Sequence, residues 1–119
     1  MSDLIPLSPL SIEALARSAS IATATLHTPQ AAALFRLSWY VEVVQTGGGT
    51  LTLELGWTDD NGAQTSNAVN AVSMGSVGYW SGNLVVYGKL AQDLTYAVTL
   101  GSPSGSPLYN LRLALERIF

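Results

Sequence analysis

The chain has 119 residues, a formal net charge of −3, 48% apolar residues and only 11% charged ones, which suits one domain but falls below the ~25% charge of a typical soluble protein. The acids are scattered and no basic stripe runs along the chain, so the electrostatic footprint of a nucleic-acid binder is missing. With no cysteine, disulfides, thiolate metal sites and cysteine nucleophiles are excluded, and the sparse charge must be made up by Ser, Thr, Asn and Gln or by contact with other subunits.

Residues 1–19 read as an N-terminal arm. Met1-Ser2-Asp3-Leu4-Ile5-Pro6 lacks the basic start and unbroken apolar core of a signal peptide, and no stretch approaches ~18 apolar residues, so synthesis in a cytoplasm and no membrane partner are expected. Pro6 and Pro9 forbid a regular helix and hold Leu4, Ile5, Leu7 and Leu10 extended. Ser11 can then cap a short helical turn whose face is Ile12, Leu15 and Ala16. These apolar side chains need cover, from their own domain or from a neighbouring subunit.

Residues 20–119 read as an all-β, antiparallel sandwich of the jelly-roll type. A short strand is expected near residues 21–26. From Ala33 the chain alternates strictly, with Phe35, Leu37, Trp39, Val41 and Val43 on one face and Arg36, Ser38, Tyr40 and Glu42 on the other. After Gly47-Gly48-Gly49 the alternation resumes with Leu51, Leu53, Leu55 and Trp57, so these two strands read as a hairpin. Asp59-Asp60-Asn61-Gly62 supplies a tight turn into a more polar strand around residues 64–72. Further strands are expected at 83–89, at 94–100 and from Tyr109 nearly to the end, with Gly101–Pro107 as a loop. Seven or eight strands with evenly spaced turns suit a sandwich, and no repeat suggests a propeller or solenoid.

Candidate chemistry is sparse. His27 is the one histidine, which removes multi-histidine metal sites and leaves a single centre for any triad. Gly101-Ser102-Pro103-Ser104-Gly105 has proline where a nucleophile elbow has serine. Asp59, Asp60 and Asn61 are consecutive where calcium-loop ligands alternate, and the triple glycine lacks the lysine of a phosphate loop. Glu42 and Glu54 fall on outward positions of strands expected to be neighbours, where a solvated face is the simpler reading than a glycosidase pair. No catalytic residue, metal or cofactor is expected. Trp39 and Trp57 point to the core, whereas Tyr79-Trp80, in a segment flanked by Gly78 and Gly82, is the better interface or ligand aromatic pair.

One run narrows the function. Ala24-Thr25-Leu26-His27-Thr28-Pro29 followed by Ala33-Leu34-Phe35-Arg36-Leu37-Ser38-Trp39-Tyr40 resembles the opening of small β-sandwich proteins of tailed-phage virions, distant relatives of the TNF/C1q-like trimeric jelly rolls. The likeness continues through Leu53 to Asp59, Leu84 to Tyr87, Leu94 to Tyr96 and Tyr109 to Glu116, with Ala33 where the pattern has glycine. It implies a homotrimeric, non-enzymatic virion protein. A capsid decoration or cement protein fits a short chain better than a tail-fibre or receptor-binding knob, and a carbohydrate-binding module is the alternative of another class. The implied partners are copies of itself and the major capsid protein or another virion component. The arm residues Leu4, Ile5, Leu7, Leu10, Ile12 and Leu15 are the expected grip.

Overall fold

The structure, a computed structural model, describes residues 10–119. Eight strands make it up: β1 (Leu10–Arg17), β2 (Ile21–His27), β3 (Ala33–Gln45), β4 (Gly48–Asp59), β5 (Gly62–Ser73), β6 (Gly78–Gly88), β7 (Leu94–Ser104) and β8 (Leu108–Arg117). Sheet 1 has the order β1-β8-β3-β6 and sheet 2 the order β2-β7-β4-β5, with every pair antiparallel. The first strand thus pairs with the last, the second with the seventh, the third with the sixth and the fourth with the fifth. A long hairpin folded over on itself gives this nesting, and it is the jelly-roll topology.

The alternation seen in the sequence is what closes the sandwich. Phe35, Leu37, Val41 and Val43 of β3 and Tyr109, Leu111, Leu113 and Leu115 of β8 face Leu51, Leu53 and Leu55 of β4 and Leu94 and Val98 of β7, all essentially without solvent contact. Each such aliphatic side chain taken from water contributes about 1.5–3 kcal/mol, and a period of two confines them to one side of each sheet. Trp39 and Trp57 are half-buried and pack on the margin of this core. The Trp39 indole lies across Gly82 on β6, where a Cβ would come within 2.7 Å of the ring.

Four expectations are corrected. The segment of residues 10–17 is a strand and not a helical turn: Leu10, Ile12 and Ala14 alternate inward with period two, and β1 pairs with β8 from Leu10↔Leu115 to Arg17↔Tyr109. The sandwich therefore begins at Leu10, inside the segment assigned to the arm. Next, β3 and β4 are not a hairpin, because the chain crosses from sheet 1 to sheet 2 through the glycines. That crossing is pinned by Gly47 N–H donating to Met74 O and Met74 N–H donating to Gly49 O, both at 3.0 Å, with Met74 fully buried beneath. The stretch Gly101–Ser104 belongs to β7, pairing with β4 as far as Gly48↔Ser104, so only the remainder is loop. Lastly, Tyr79 and Trp80 lie within β6, not in a loop. The hairpin turn at Asp59–Gly62 is present, with Gly62 at φ 106° and Asn61 N–H donating to Asp59 Oδ1 at 2.8 Å.

Candidate functional site

Outward residues of sheet 1 come from β1, β8, β3 and β6 in register. One row reads Glu13, Arg112, Tyr40, Ser81; the next toward one end holds Asn110, Glu42 and Tyr79; the next toward the other holds Ser11, Ala114, Ser38 and Asn83; beyond that lie Glu116, Arg36 and Val85. Alternation on four adjacent strands thus converts residues far apart in sequence into a surface.

Its upper part is an aromatic shelf. Tyr40 and Tyr79 are diagonal neighbours on β3 and β6, and their rings stack at 5.3 Å between centroids with planes 4° apart. Tyr79 is 63% exposed and Tyr40 39%, so both retain a free face or edge. Beside the shelf, Arg112 Nη1 binds Glu42 Oε1 at 2.6 Å and Arg112 Nε binds Glu13 Oε2 at 2.9 Å. Asn110 Nδ2 donates to the same Glu42 oxygen at 3.2 Å, while Asn110 Oδ1 accepts the N–H of Ala16 at 2.7 Å where β1 bulges through a left-handed residue, φ 51°. These bonds hold the Glu42 carboxyl below its ordinary range, with the Asn110 amide the leading cause and Arg112 next; Glu42 and Glu13 in turn raise Arg112 further. Below them the small side chains of Ser11, Ala114 and Ser38 leave a recess of about 320 Å³ walled by Glu13, Tyr40 and Arg112, with a second of about 190 Å³ toward the Arg36–Glu116 pair, bonded at 2.6 Å. The two recesses share Ser38 and Ala114. Such a surface can stack a flat ring, bury aliphatic groups and exchange hydrogen bonds. Its acids are all paired with arginines, Glu13 and Glu42 with Arg112 and Glu116 with Arg36.

The remaining sequence candidates lie elsewhere. Glu54 is on sheet 2 and Glu42 on sheet 1, so the pair weighed as neighbours points out of opposite sides of the sandwich. His27 ends β2, packs at 5.6 Å against Phe35, and has its pKa lowered first by burial and then by the nearby Arg117 charge. Asp93 clasps Thr28 Oγ1 at 2.7 Å and Thr25 Oγ1 at 3.0 Å, which holds its carboxyl low. Asp59 accepts from Asn61 and Gln64 within its turn, and Asp60 lies 4.0 Å from Lys89. Among the described residues no three His, Asp or Glu side chains gather as metal ligands.

Of the arm residues, Leu10 and Ile12 pack against the core margin, Leu15 is 48% exposed, and Leu4, Ile5 and Leu7 lie outside the described residues. Trp80 turns inward to the core margin, leaving Tyr79 as the exposed member of that pair. Sequence reasoning missed Tyr40, Glu13, Asn110 and Arg112 as companions of Tyr79. Their one local signal was an outward position on an alternating strand.

No family model matches the chain, and no curated protein matches its sequence. Among solved structures, that of infectious bursal disease virus Gx strain superposes with a TM-score of 0.50 at 14% identity, covering 91% of this chain and 32% of that one. The CBM22-1 xylan-binding domain from Paenibacillus barcinonensis Xyn10C matches at TM-score 0.45 and 16% identity over 90% of this chain and 70% of that one. Eiger TNF from S. frugiperda matches at TM-score 0.42 and 6% identity over 93% of each chain. This chain spans about a third of the length of the viral chain it matches, and what the two share is the fold.

Proposed function

We propose that this chain is a non-enzymatic structural protein of a virion, a capsid decoration or cement protein made in the host cytoplasm that assembles as a homotrimer and binds the major capsid protein. The observation that carries the assembly is the uneven distribution of exposed apolar side chains. Tyr40, Tyr79, Val85 and Tyr87 all stand on the outer side of sheet 1, as two apolar clusters separated by Ser38, Ser81 and Asn83, and exposed apolar clusters set among polar groups are a usual mark of a contact surface. The virion assignment is supported by the sequence resemblance of residues 24–40 and by a fold that virus proteins use.

Light scattering tests the assembly, and co-sedimentation with shells lacking the protein tests the virion partner. Particles of three 12.5 kDa chains that bind the shells are expected; a clean monomer that ignores them overturns the proposal. A second reading, sugar binding, is favoured by one feature, the parallel Tyr40–Tyr79 stack above a recess lined with Ser11, Glu13 and Arg112. Retardation in polysaccharide-containing gels that is lost with Tyr79→Ala would favour it over assembly.

A further inference from the structure

Two sheets have four edges, and each edge strand offers a row of unpaired N–H and C=O groups to any extended chain. Three edges here are blunted. In β1 the register slips between Ala14 and Arg17 at the left-handed Ala16, and Glu13 and Arg17 add charge. In β2, 7 residues long, the register slips twice. In β5 it slips twice against β4, and the left-handed Ala71 ties its N–H to Thr52 Oγ1.

The fourth edge, β6, carries none of these devices. It pairs with β3 without a slip from Ala33↔Gly88 to Val43↔Gly78, and its 11 residues, Gly-Tyr-Trp-Ser-Gly-Asn-Leu-Val-Val-Tyr-Gly, include no charge. Its free groups can be assigned. Leu34 gives its N–H to Phe119 O and accepts from Ile118 N–H, so even-numbered residues of β3 turn their backbone to β8 and odd-numbered ones to β6. Antiparallel hydrogen bonding alternates. Opposite the odd residues of β3, Trp80, Gly82, Leu84 and Val86 spend their backbone groups on β3. Tyr79, Ser81, Asn83, Val85 and Tyr87 direct theirs away from the sheet, and among the described residues nothing accepts or donates to them there.

We infer that β6 is a strand-pairing edge for a second copy of this chain, the two β6 strands meeting antiparallel across a twofold axis at Asn83. A twofold contact must be self-complementary, and the two ends of β6 match about its middle, Gly78 with Gly88 and Tyr79 with Tyr87, while Ser81 and Gly82 answer Val85 and Leu84. Centred on Asn83, the register sets Gly78 opposite Gly88 of the partner subunit, Tyr79 opposite Tyr87 of the partner subunit and Trp80 opposite Val86 of the partner subunit. Asn83 meets its own copy, and the odd-numbered residues with free backbone groups are the ones that become hydrogen-bonded pairs. The uncharged strand lets two chains of net charge −3 approach without repulsion at the contact.

Size sets the strength. At ~3.4 Å per residue the 11-residue edge is roughly 37 Å long, and across a layer ~10 Å thick two copies bury on the order of 750 Å² in total, below the ~1,200 Å² of stable interfaces. The contact is therefore concentration-dependent by itself, or links copies already joined through another surface. The inference deepens the self-assembly proposed above but needs neither its trimer nor its virion partner.

The test uses the full chain, which has no cysteine of its own. Paired Asn83 Cα atoms would stand ~5.5 Å apart, so Asn83→Cys treated with a short bis-maleimide should give a covalent dimer at least tenfold faster than Thr99→Cys, an exposed site on a central strand of sheet 2. Val85→Lys, at a 48% exposed position, should weaken the two-chain association at least tenfold in sedimentation without moving the melt. Asn83→Pro should do the same, since it removes an N–H that the fold leaves free. Equal cross-linking at the two cysteines overturns the edge contact, as does unchanged association of Val85→Lys. Trimers that form without cross-linking at position 83 leave assembly standing and remove only this contact.

Discussion

The two outer faces of this sandwich share a backbone geometry and differ in chemistry. Sheet 1 presents Tyr40, Tyr79, Val85 and Tyr87 with the Glu13–Arg112–Glu42 and Arg36–Glu116 ion pairs. Sheet 2 presents Thr25, Thr50, Thr52, Thr58, Thr65, Thr95 and Thr99 with Ala97, Asn67 and, as its charge, Glu54. Threonine is a strong strand former whose hydroxyl satisfies water, so sheet 2 is built to be wetted. Low overall charge thus has two different solutions in one chain: hydroxyls on one side, and a surface suited to being covered on the other.

The largest expected effect tests whether the faces differ only outside a common core. Leu113→Ala beneath sheet 1 and Leu53→Ala beneath sheet 2 remove equally buried side chains, and each should cost about 2–5 kcal/mol in chemical denaturation. A loss confined to one of them would mean that the sheets have separate stabilities. Next comes a direct exchange of character. Giving sheet 1 the chemistry of sheet 2 with Tyr40→Thr and Tyr79→Thr together should weaken self-association by tenfold or more in sedimentation, with the melt nearly unchanged because both rings are already exposed. Unchanged association would move the contact surface off sheet 1.

How far the sequence discloses this contrast depends on range. The period of two from Phe35 to Val43 and from Leu51 to Leu55 reports burial directly, and the sandwich follows from it. The same signal was present in Leu10, Ile12 and Ala14, but Pro9 before it and the helical spacing of Ile12, Leu15 and Ala16 competed over too few residues to decide. Whether the glycines after β3 return the chain to its own sheet or carry it across is set by β6 and β8, which claim both sides of β3 from elsewhere in the sequence. The site was hidden for the same reason. Tyr40 and Tyr79 become neighbours only once β3 and β6 have a register, and Arg112 reaches Glu13 and Glu42 only because β8 lies between β1 and β3.

A smaller effect separates core from face by pH. Tyr109, buried under sheet 1, donates its hydroxyl to Ala19 O at 2.7 Å, and burial pushes its pKa from 10.0 up to about 12, against a weaker opposing pull from Arg17. A folded-state pKa above the unfolded one gives stability that is complete below pH 10 and is lost as pH rises toward 12. Tyr109→Phe should lower the neutral-pH stability by about 1 kcal/mol for the lost hydrogen bond and flatten the melt between those pH values. On the acid side the signs reverse. His27, Glu42 and Asp93 all have lowered pKa values, so their contributions are present above their unfolded values and fade as pH falls, His27 first from about 6.5.

The smallest expected effect concerns the charges that distinguish the faces. Arg112 sits between two carboxylates, yet its side chain is 42% exposed and Glu13 is 58% exposed, and exposed pairs contribute little because water and salt screen them. Arg112→Met keeps much of the aliphatic stem and leaves Glu13 and Glu42 repelling each other across β8. The melt should fall slightly at low ionic strength and recover near 1 M salt, where charges separated by more than ~3 Å are screened. Thr99→Ala on sheet 2, with no charge to screen, should show no such salt dependence. If the Arg112 deficit persists undiminished in high salt, the side chain acts by packing, and the ion pairs on sheet 1 are a consequence of its shape. If it disappears, the network's part is to orient Glu42 and Asn110 beside the Tyr40–Tyr79 shelf. Arg112→Met should then weaken self-association more than it lowers the melt.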